Sequence, residues 1–296
     1  MTRTNIFLFP AFVLRYLGNE HNVINSNNND FDKRIKIVSD LSQSDFSKFN
    51  IEDDSFMQDE LKNQLATYLI SCTYSDILES RQIEPQRLAY LSMGLYASLY
   101  CGKSISFEDG VGLIISVFEK MQDILRNNKY GMLNVIGLEQ DDINEIIKRE
   151  NLACEVVIKN SSYSFIISGE SKSIIKFKQM AEDEGAMQVR IFPVNTAYHS
   201  TYVNRIKEYK SDIIKDFKIK ELKTPLLSTL KKKYINSSEE IAEEIISNLI
   251  NPVDWETCMK ELNCCNDAVF YECGPGNSLN KIARFINENI VFVKIY

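Results

Sequence analysis

The residues with the clearest chemical capacity lie together in one pentapeptide, Tyr90-Leu91-Ser92-Met93-Gly94. A short apolar run, Leu88 to Leu91, leads into Ser92, and a helical pattern with small residues at Gly94, Ala97 and Ser98 follows. A serine at a tight strand-to-helix turn, with a small residue two places on, has the makings of a nucleophile elbow, because the turn lifts the hydroxyl and leaves little bulk around it. The amide of Met93 then falls at a helix N-terminus. Unpaired N–H groups and the helix dipole there favour the negative charge that develops when an ester or thioester is attacked. The same letters also fit a serine near the start of a buried helix. In the G-x-S-x-G pattern the first place belongs to glycine and here holds Tyr90, so that ring must point away from the turn or the turn must open.

Other chemistry is sparse. His21 and His199 are the whole histidine supply, which argues against a histidine-built metal site. Seven cysteines, an odd number without zinc spacing, predict reduced thiols in a cytosolic protein, with the adjacent pair Cys264-Cys265 incidental. A net charge of −7 argues against a nucleic-acid binder, and no Lys/Arg block reads as a basic stripe. At 296 residues, 44% hydrophobic and 10% aromatic, the chain is long enough to bury a large core. Arg3 and the apolar IFLFPAFVL have the flavour of a signal peptide. Pro10 interrupts the run and no small-x-small site follows, so a first buried strand is the better reading. No stretch is long enough to span a membrane.

The elements that must position Ser92 follow from periodicity. A strand Asn5 to Phe9 is followed by a polar, Asn-rich region from Asn19 to Asp32, read as exposed loop or frayed helix. Helices are predicted over Asp32 to Leu41 and Met57 to Ser80, the second from Leu61, Leu65, Tyr68, Leu69 and Cys72, and another over Phe107 to Gln122 with Glu108 and Asp109 in its first turn. From Tyr130 to Val194 the order is strand (Gly131 to Leu138), helix (Asp141 to Glu150), strand (Cys154 to Asn160), strand (Ser164 to Gly169), helix (Lys172 to Glu184), strand (Met187 to Val194), which is the ferredoxin-like βαββαβ unit. The chain returns with a helix Tyr198 to Lys215, a strand Ile219 to Ser228, helices Ser238 to Ile250 and Asp254 to Leu262, a strand Ala268 to Glu272, a turn at Gly274-Pro275-Gly276, a helix Leu279 to Ile286 and a last strand Ile290 to Lys294. The expected architecture is α/β. Residues 1–128 and 196–296 form a large α/β-hydrolase-like domain with a parallel sheet, and residues 129–195 an inserted ferredoxin-like small domain.

In order along the chain, these segments resemble the malonyl-coenzyme A:acyl carrier protein transacylase family of acyltransferases. FLFP (Phe7 to Pro10) is similar to the family's opening FxFPGQGSQ, NQLAT (Asn63 to Thr67) to its TQPAL helix with Gln64 kept, and YLSMG to its GHSLG. YAS (Tyr96 to Ser98) and SFEDG (Ser106 to Gly110) follow in place. GMLNVIGL resembles the first small-domain strand, VNTAYHS (Val194 to Ser200) the V-x-x-x-F-H-S motif, and NPVDW (Asn251 to Trp255) and ECGPG (Glu272 to Gly276) the closing motifs. The resemblance implies Ser92 as nucleophile and His199 as general base, moving an acyl group from coenzyme A to Ser92 and on to the phosphopantetheine thiol of an acyl carrier protein. It implies amide donors at Met93 and Phe12 for the oxyanion, a binding role for Gln64, and no bound cofactor, with the coenzyme A thioester as substrate. Asp254, matching a position whose carbonyl orients the base, either completes a Ser-His-Asp arrangement or caps the helix that starts at Trp255.

Four departures from the family pattern stand out. The glutamine-bearing loop is Ala11-Phe12-Val13-Leu14-Arg15, the elbow carries Leu91 for histidine and Tyr90 for glycine, and the arginine that grips the substrate carboxylate aligns with Val117. An aliphatic side chain cannot replace that bidentate contact, so the acyl group is expected to be uncharged rather than malonyl, unless Lys120 one turn along supplies the charge. The implied role is a soluble, cytoplasmic, monomeric acyltransferase, a divergent member of the kind found with trans-acyltransferase polyketide synthases, in polyketide or fatty-acid synthesis. A proofreading hydrolase of acyl carrier thioesters and a non-catalytic carrier-docking homologue are the alternatives.

Overall fold

Thr4–Phe9 form β1, in which Ile6, Phe7, Leu8 and Phe9 are fully buried. A strand covered on both faces reads as an unbroken apolar run, which is why the N-terminal IFLF is a central strand. In this computed structural model, which describes all residues except 1–2, 14, 19, 23–27, 52–54, 126–128, 266 and 296, the strand is paired on both sides. Positions 19 and 23–27 of the Asn-rich stretch lie outside the described residues, as does Leu14 of the loop after β1, and the end of that stretch belongs to a helix rather than to a loop. Helix α1 runs Asn28–Ser42, and α2, Ser55–Gln58, is separated from α3, Glu60–Ser80. The single helix expected from Met57 breaks at Asp59, whose carboxylate accepts from the Lys62 amide at 2.9 Å and caps α3 instead. Most of α3 is buried, which explains the apolar positions Leu65, Tyr68, Leu69 and Cys72 that revealed it.

β2 (Arg87–Tyr90) leads into α4 (Gly94–Cys101), then α5 (Phe107–Leu125). The next six elements are β3 (Tyr130–Ile136), α6 (Gln140–Arg149), β4 (Cys154–Ser161), β5 (Ser164–Glu170), α7 (Ser171–Asp183) and β6 (Gln188–Ile191), the βαββαβ order expected. A 3-10 helix, Thr201–Tyr209, passes into the short α8, Lys210–Ile214, where a continuous α-helix was predicted. β7 is only Leu226–Ser228, because Pro225 stands before it without an amide to donate, and it turns back as β8, Lys233–Ile235. The lysine run Lys231 to Lys233 that leads into β8 concealed it. Then come α9 (Ser238–Ile250), β9 (Val253–Asp254), α10 (Trp255–Asn263), β10 (Ala268–Glu272) and α11 (Ser278–Ile286). The last expected strand shrinks to one bridge, Phe270 to Phe292.

The first sheet has the order β10-β1-β2-β7-β8, parallel except for the β7-β8 hairpin. The second has the order β6-β3-β5-β4-β9, antiparallel within the inserted unit, with β9 joining β4 in parallel from the returning half of the chain. The boundary expected after residue 128 falls beside undescribed residues, and β9 carries the second sheet beyond residue 195. Among the described residues no helix is long and apolar enough to cross a membrane.

Candidate active site

β2 ends at Tyr90, and the chain turns sharply before α4. The Leu91 amide still donates to Phe9 O at 2.9 Å, then Gly94 N reaches back to Leu91 O at 3.0 Å and Leu95 N to Ser92 O at 3.1 Å. Closing so tight a turn puts Ser92 at φ 54°, in the left-handed region, which costs a non-glycine residue roughly 1–2 kcal/mol. That is the strained elbow expected of a serine whose hydroxyl must stand clear of its own backbone. Gly94 permits it: a Cβ there would meet Phe9 O at 2.2 Å and Pro10 O at 2.8 Å. The Tyr90 ring does point away from the turn. It is fully buried, and its phenol donates to Glu244 on α9.

His199 reaches the same place from the segment after β6. Glu60 on α3 accepts the Asn195 amide at 2.8 Å, Ser200 Oγ donates to Ala197 O at 2.6 Å, and the His199 amide donates to Leu249 O on α9 at 2.7 Å. His199 too is left-handed, at φ 62°. These ties bring Nε2 to 2.7 Å from Ser92 Oγ. With the proton on Nδ1, Nε2 accepts the serine hydroxyl, the geometry a general base needs. The ring is 3% exposed, and burial pushes its pKa down to about 4, opposed by the nearby backbone of Asn251 and Asn248, although among the described residues Nδ1 makes no hydrogen bond of good geometry. Its base form therefore persists well below the usual imidazole range. The rate of Ser92 acylation by a neutral thioester is expected to stay flat as pH falls through 6.5 and to drop only near 4, followed by intact-protein mass spectrometry. A midpoint at 6.5 would show a solvated ring.

Around the pair the cleft is lined by Phe12, Gln64, Met93, Tyr96, Val117, Tyr198, Asn248 and Leu249. Gln64 donates to the Tyr198 hydroxyl at 3.0 Å, and the Phe12 ring packs edge-on against Phe192 beyond β6, 5.9 Å between centroids. Among the described residues the Met93 and Phe12 amides make no hydrogen bond, so both remain open to an oxyanion. Val117 belongs to the core-facing stripe of α5 and is 3% exposed. Among the described residues no Lys or Arg lines the cleft, and the Lys120 ammonium lies over the Tyr209 ring instead, 5.1 Å from its centroid. The room left is small, about 20 Å³, enough for roughly one water.

Asp254 is not part of this group. Its carboxylate accepts from the Thr257 amide at 3.1 Å and from the Thr257 hydroxyl at 2.7 Å, capping α10, and pairs with Lys232 at 3.0 Å. The expected Ser-His-Asp arrangement is therefore corrected to a Ser-His pair, with Asp254 spent on the helix cap. Sequence reasoning missed Asn248, whose Nδ2 donates to Ser92 O at 3.0 Å. Its only trace was a lone asparagine within the apolar ISNLI run at the end of α9.

A family model described as an acyl transferase domain matches residues 21–284. The chain is 24% identical over its whole length to the malonyl CoA-acyl carrier protein transacylase of Staphylococcus aureus (strain MSSA476), covering 96% of that protein. It is 22% identical to the one of Bacillus subtilis (strain 168), over 72% of this chain and 68% of that protein. Among solved structures, the malonyl CoA-acyl carrier protein transacylase of Coxiella burnetii superimposes with a TM-score of 0.85 at 23% identity, over 99% of this chain and 94% of that one. A malonyl-transacylase in complex with its type II PKS acyl-carrier protein gives a TM-score of 0.85 at 18% identity, over 98% of this chain and 94% of that one. At those identities the likeness to the structures establishes the fold.

Proposed function

We propose, since this chain belongs to the acyl transferase domain family, that it moves an acyl group from a coenzyme A thioester to Ser92 and then to the phosphopantetheine thiol of an acyl carrier protein. The observation that carries this is the 2.7 Å contact between Ser92 Oγ and His199 Nε2. His199 takes the hydroxyl proton as oxygen attacks the thioester carbonyl, then returns it to the departing thiolate. The second half-reaction runs the same steps backward with the carrier thiol entering. The amides of Met93 and Phe12 suit the oxyanion in both, and the relatives' names support the carrier protein as partner. Loading with acyl-coenzyme A should give an acyl adduct on the Ser92 peptide that a phosphopantetheinylated carrier protein then removes. Free acid released with no acceptor would favour the proofreading hydrolase. Product formation unchanged by Ser92→Ala would leave only a docking role.

The relatives' names support malonyl as the acyl group. One feature of this chain favours a second reading: by the sequence resemblance Val117 stands where the family arginine belongs, and among the described residues no lysine or arginine lines the cleft. A carboxylate placed there loses its hydration without a charged partner, a contact worth about 1.5–3 kcal/mol. On that ground acetyl-coenzyme A is expected to acylate Ser92 at least about tenfold faster than malonyl-coenzyme A. Faster malonyl loading would restore the relatives' substrate.

A further inference from the structure

We propose that Tyr90, Ser228 and Glu244 form a buried positioning clamp that sets the separation of Ser92 and His199, resting on the reading that those two residues react together. β2 and β7 run in parallel register, Leu88 beside Leu226 and Ala89 beside Leu227, so Tyr90 and Ser228 leave the sheet side by side. Both hydroxyls donate to the same atom, Glu244 Oε1, Ser228 from 2.5 Å. Glu244 sits on α9. One turn further along that helix Asn248 holds the Ser92 carbonyl at 3.0 Å, and next to it Leu249 O takes the His199 amide at 2.7 Å. Thus a single helix grips the backbone of both reacting residues, and the clamp fixes where that helix lies relative to the strand carrying Ser92.

The composition of the clamp points away from a plain packing role. Tyr90, Ser228 and Glu244 are each fully buried, and among the described residues Glu244 Oε2 has no hydrogen-bond partner. A carboxyl group burdened in this way is a poor source of stability, and burial already raises its pKa. Apolar residues would fill the volume without that cost, so what the polar trio supplies is a defined register between α9 and β2. A glycine at position 90, as in the elbow pattern, has no side chain to make this link. None of the three lines the cleft, so they act through Ser92 and His199 rather than on substrate.

The test is the rate at which a small alkyl fluorophosphonate labels Ser92 in the full chain. Serine oxygen bonds to phosphorus, fluoride leaves and His199 takes the proton, with no thioester or carrier protein involved. Tyr90→Phe keeps the ring and removes the hydroxyl. It is expected to slow the limiting labelling rate at least about tenfold while leaving half-saturation by acyl-coenzyme A within about twofold. Glu244→Gln, which still accepts from both hydroxyls, should label within about threefold of the parent, whereas Glu244→Leu should fall with Tyr90→Phe. A clamp that only holds the core together would lower the melting temperature and leave the labelling rate of the folded protein untouched. Parental labelling by folded Tyr90→Phe overturns the proposal. Should that variant fail to fold, Ser228→Ala carries the same expectation and the same overturning result. A parent chain labelled by fluorophosphonate but not by acyl-coenzyme A removes the transfer reading alone, and one labelled by neither removes both.

Discussion

His199→Ala is expected to lower the rate of Ser92 acylation about 10²–10⁴-fold, the range a positioned general base supplies. Among the described residues His199 is the hydrogen-bond partner of the Ser92 hydroxyl, and Asp254, the carboxylate considered from sequence, is bound to Thr257 and Lys232. Ser92→Ala should abolish the acyl adduct altogether. The two variants together should be no worse than Ser92→Ala alone, because the pair acts as one unit. Stopped-flow release of coenzyme A thiol, with mass spectrometry of the adduct, measures both. Folding should survive His199→Ala better than chemistry does. The backbone ties at this position, from the His199 amide to Leu249 O and from Ser200 to Ala197, do not depend on the ring. An alanine at φ 62° nonetheless stays strained, so a small loss of thermal stability is expected alongside. Acylation within threefold of the parent would dismiss the imidazole as base.

Gly94→Ala is expected to damage both stability and chemistry. The added methyl would lie 2.2 Å from Phe9 O, 2.7 Å from Phe9 C and 2.8 Å from Pro10 O. All three are backbone atoms at the end of the central strand, which cannot rotate away as a side-chain tip can. Relief requires α4 to move off β1, and Ser92, two residues earlier, moves with it. Overpacking of this kind costs about 1–3 kcal/mol, a fall of several degrees in melting temperature for a chain this long. A displacement near 1 Å at the nucleophile costs roughly 10²-fold in rate. Differential scanning fluorimetry and the acylation rate, measured on one preparation, should both respond. A variant with the parental melting temperature and rate would mean the elbow tolerates bulk that the geometry forbids.

How much of this was readable from the letters varied with the range of the interaction. Ser92 and its elbow were legible because a strand, a turn and a helix follow one another within a few residues, and Gly94 marks the close approach to β1. The βαββαβ unit was legible for the same local reason. His199 entered through its place in the VNTAYHS motif and the family likeness, since nothing local shows that this segment comes to rest beside residue 92. Asp254 stood open between two readings that a local pattern cannot separate: cap or catalytic partner. The structure decides through Thr257, three residues on, which takes both of its oxygens. Asn248 and Glu244 could not be singled out, because their roles depend on contacts with residues more than 150 positions away. β8 was hidden by the lysine run that leads into it, at an edge strand where charge discourages further pairing.

The pairing of β1 between β2 and β10 also governs how the protein can be made. During synthesis the flank of β1 that faces β10 has no neighbour until Ala268–Glu272 emerge. β4 waits in the same way for Val253–Asp254. Neither sheet can therefore be finished before those returning segments are made, and Ile6 to Phe9 must be kept from sticking to other chains until then. Limited chaperone supply should therefore reveal itself in this protein as aggregation of incomplete chains rather than as loss of finished ones.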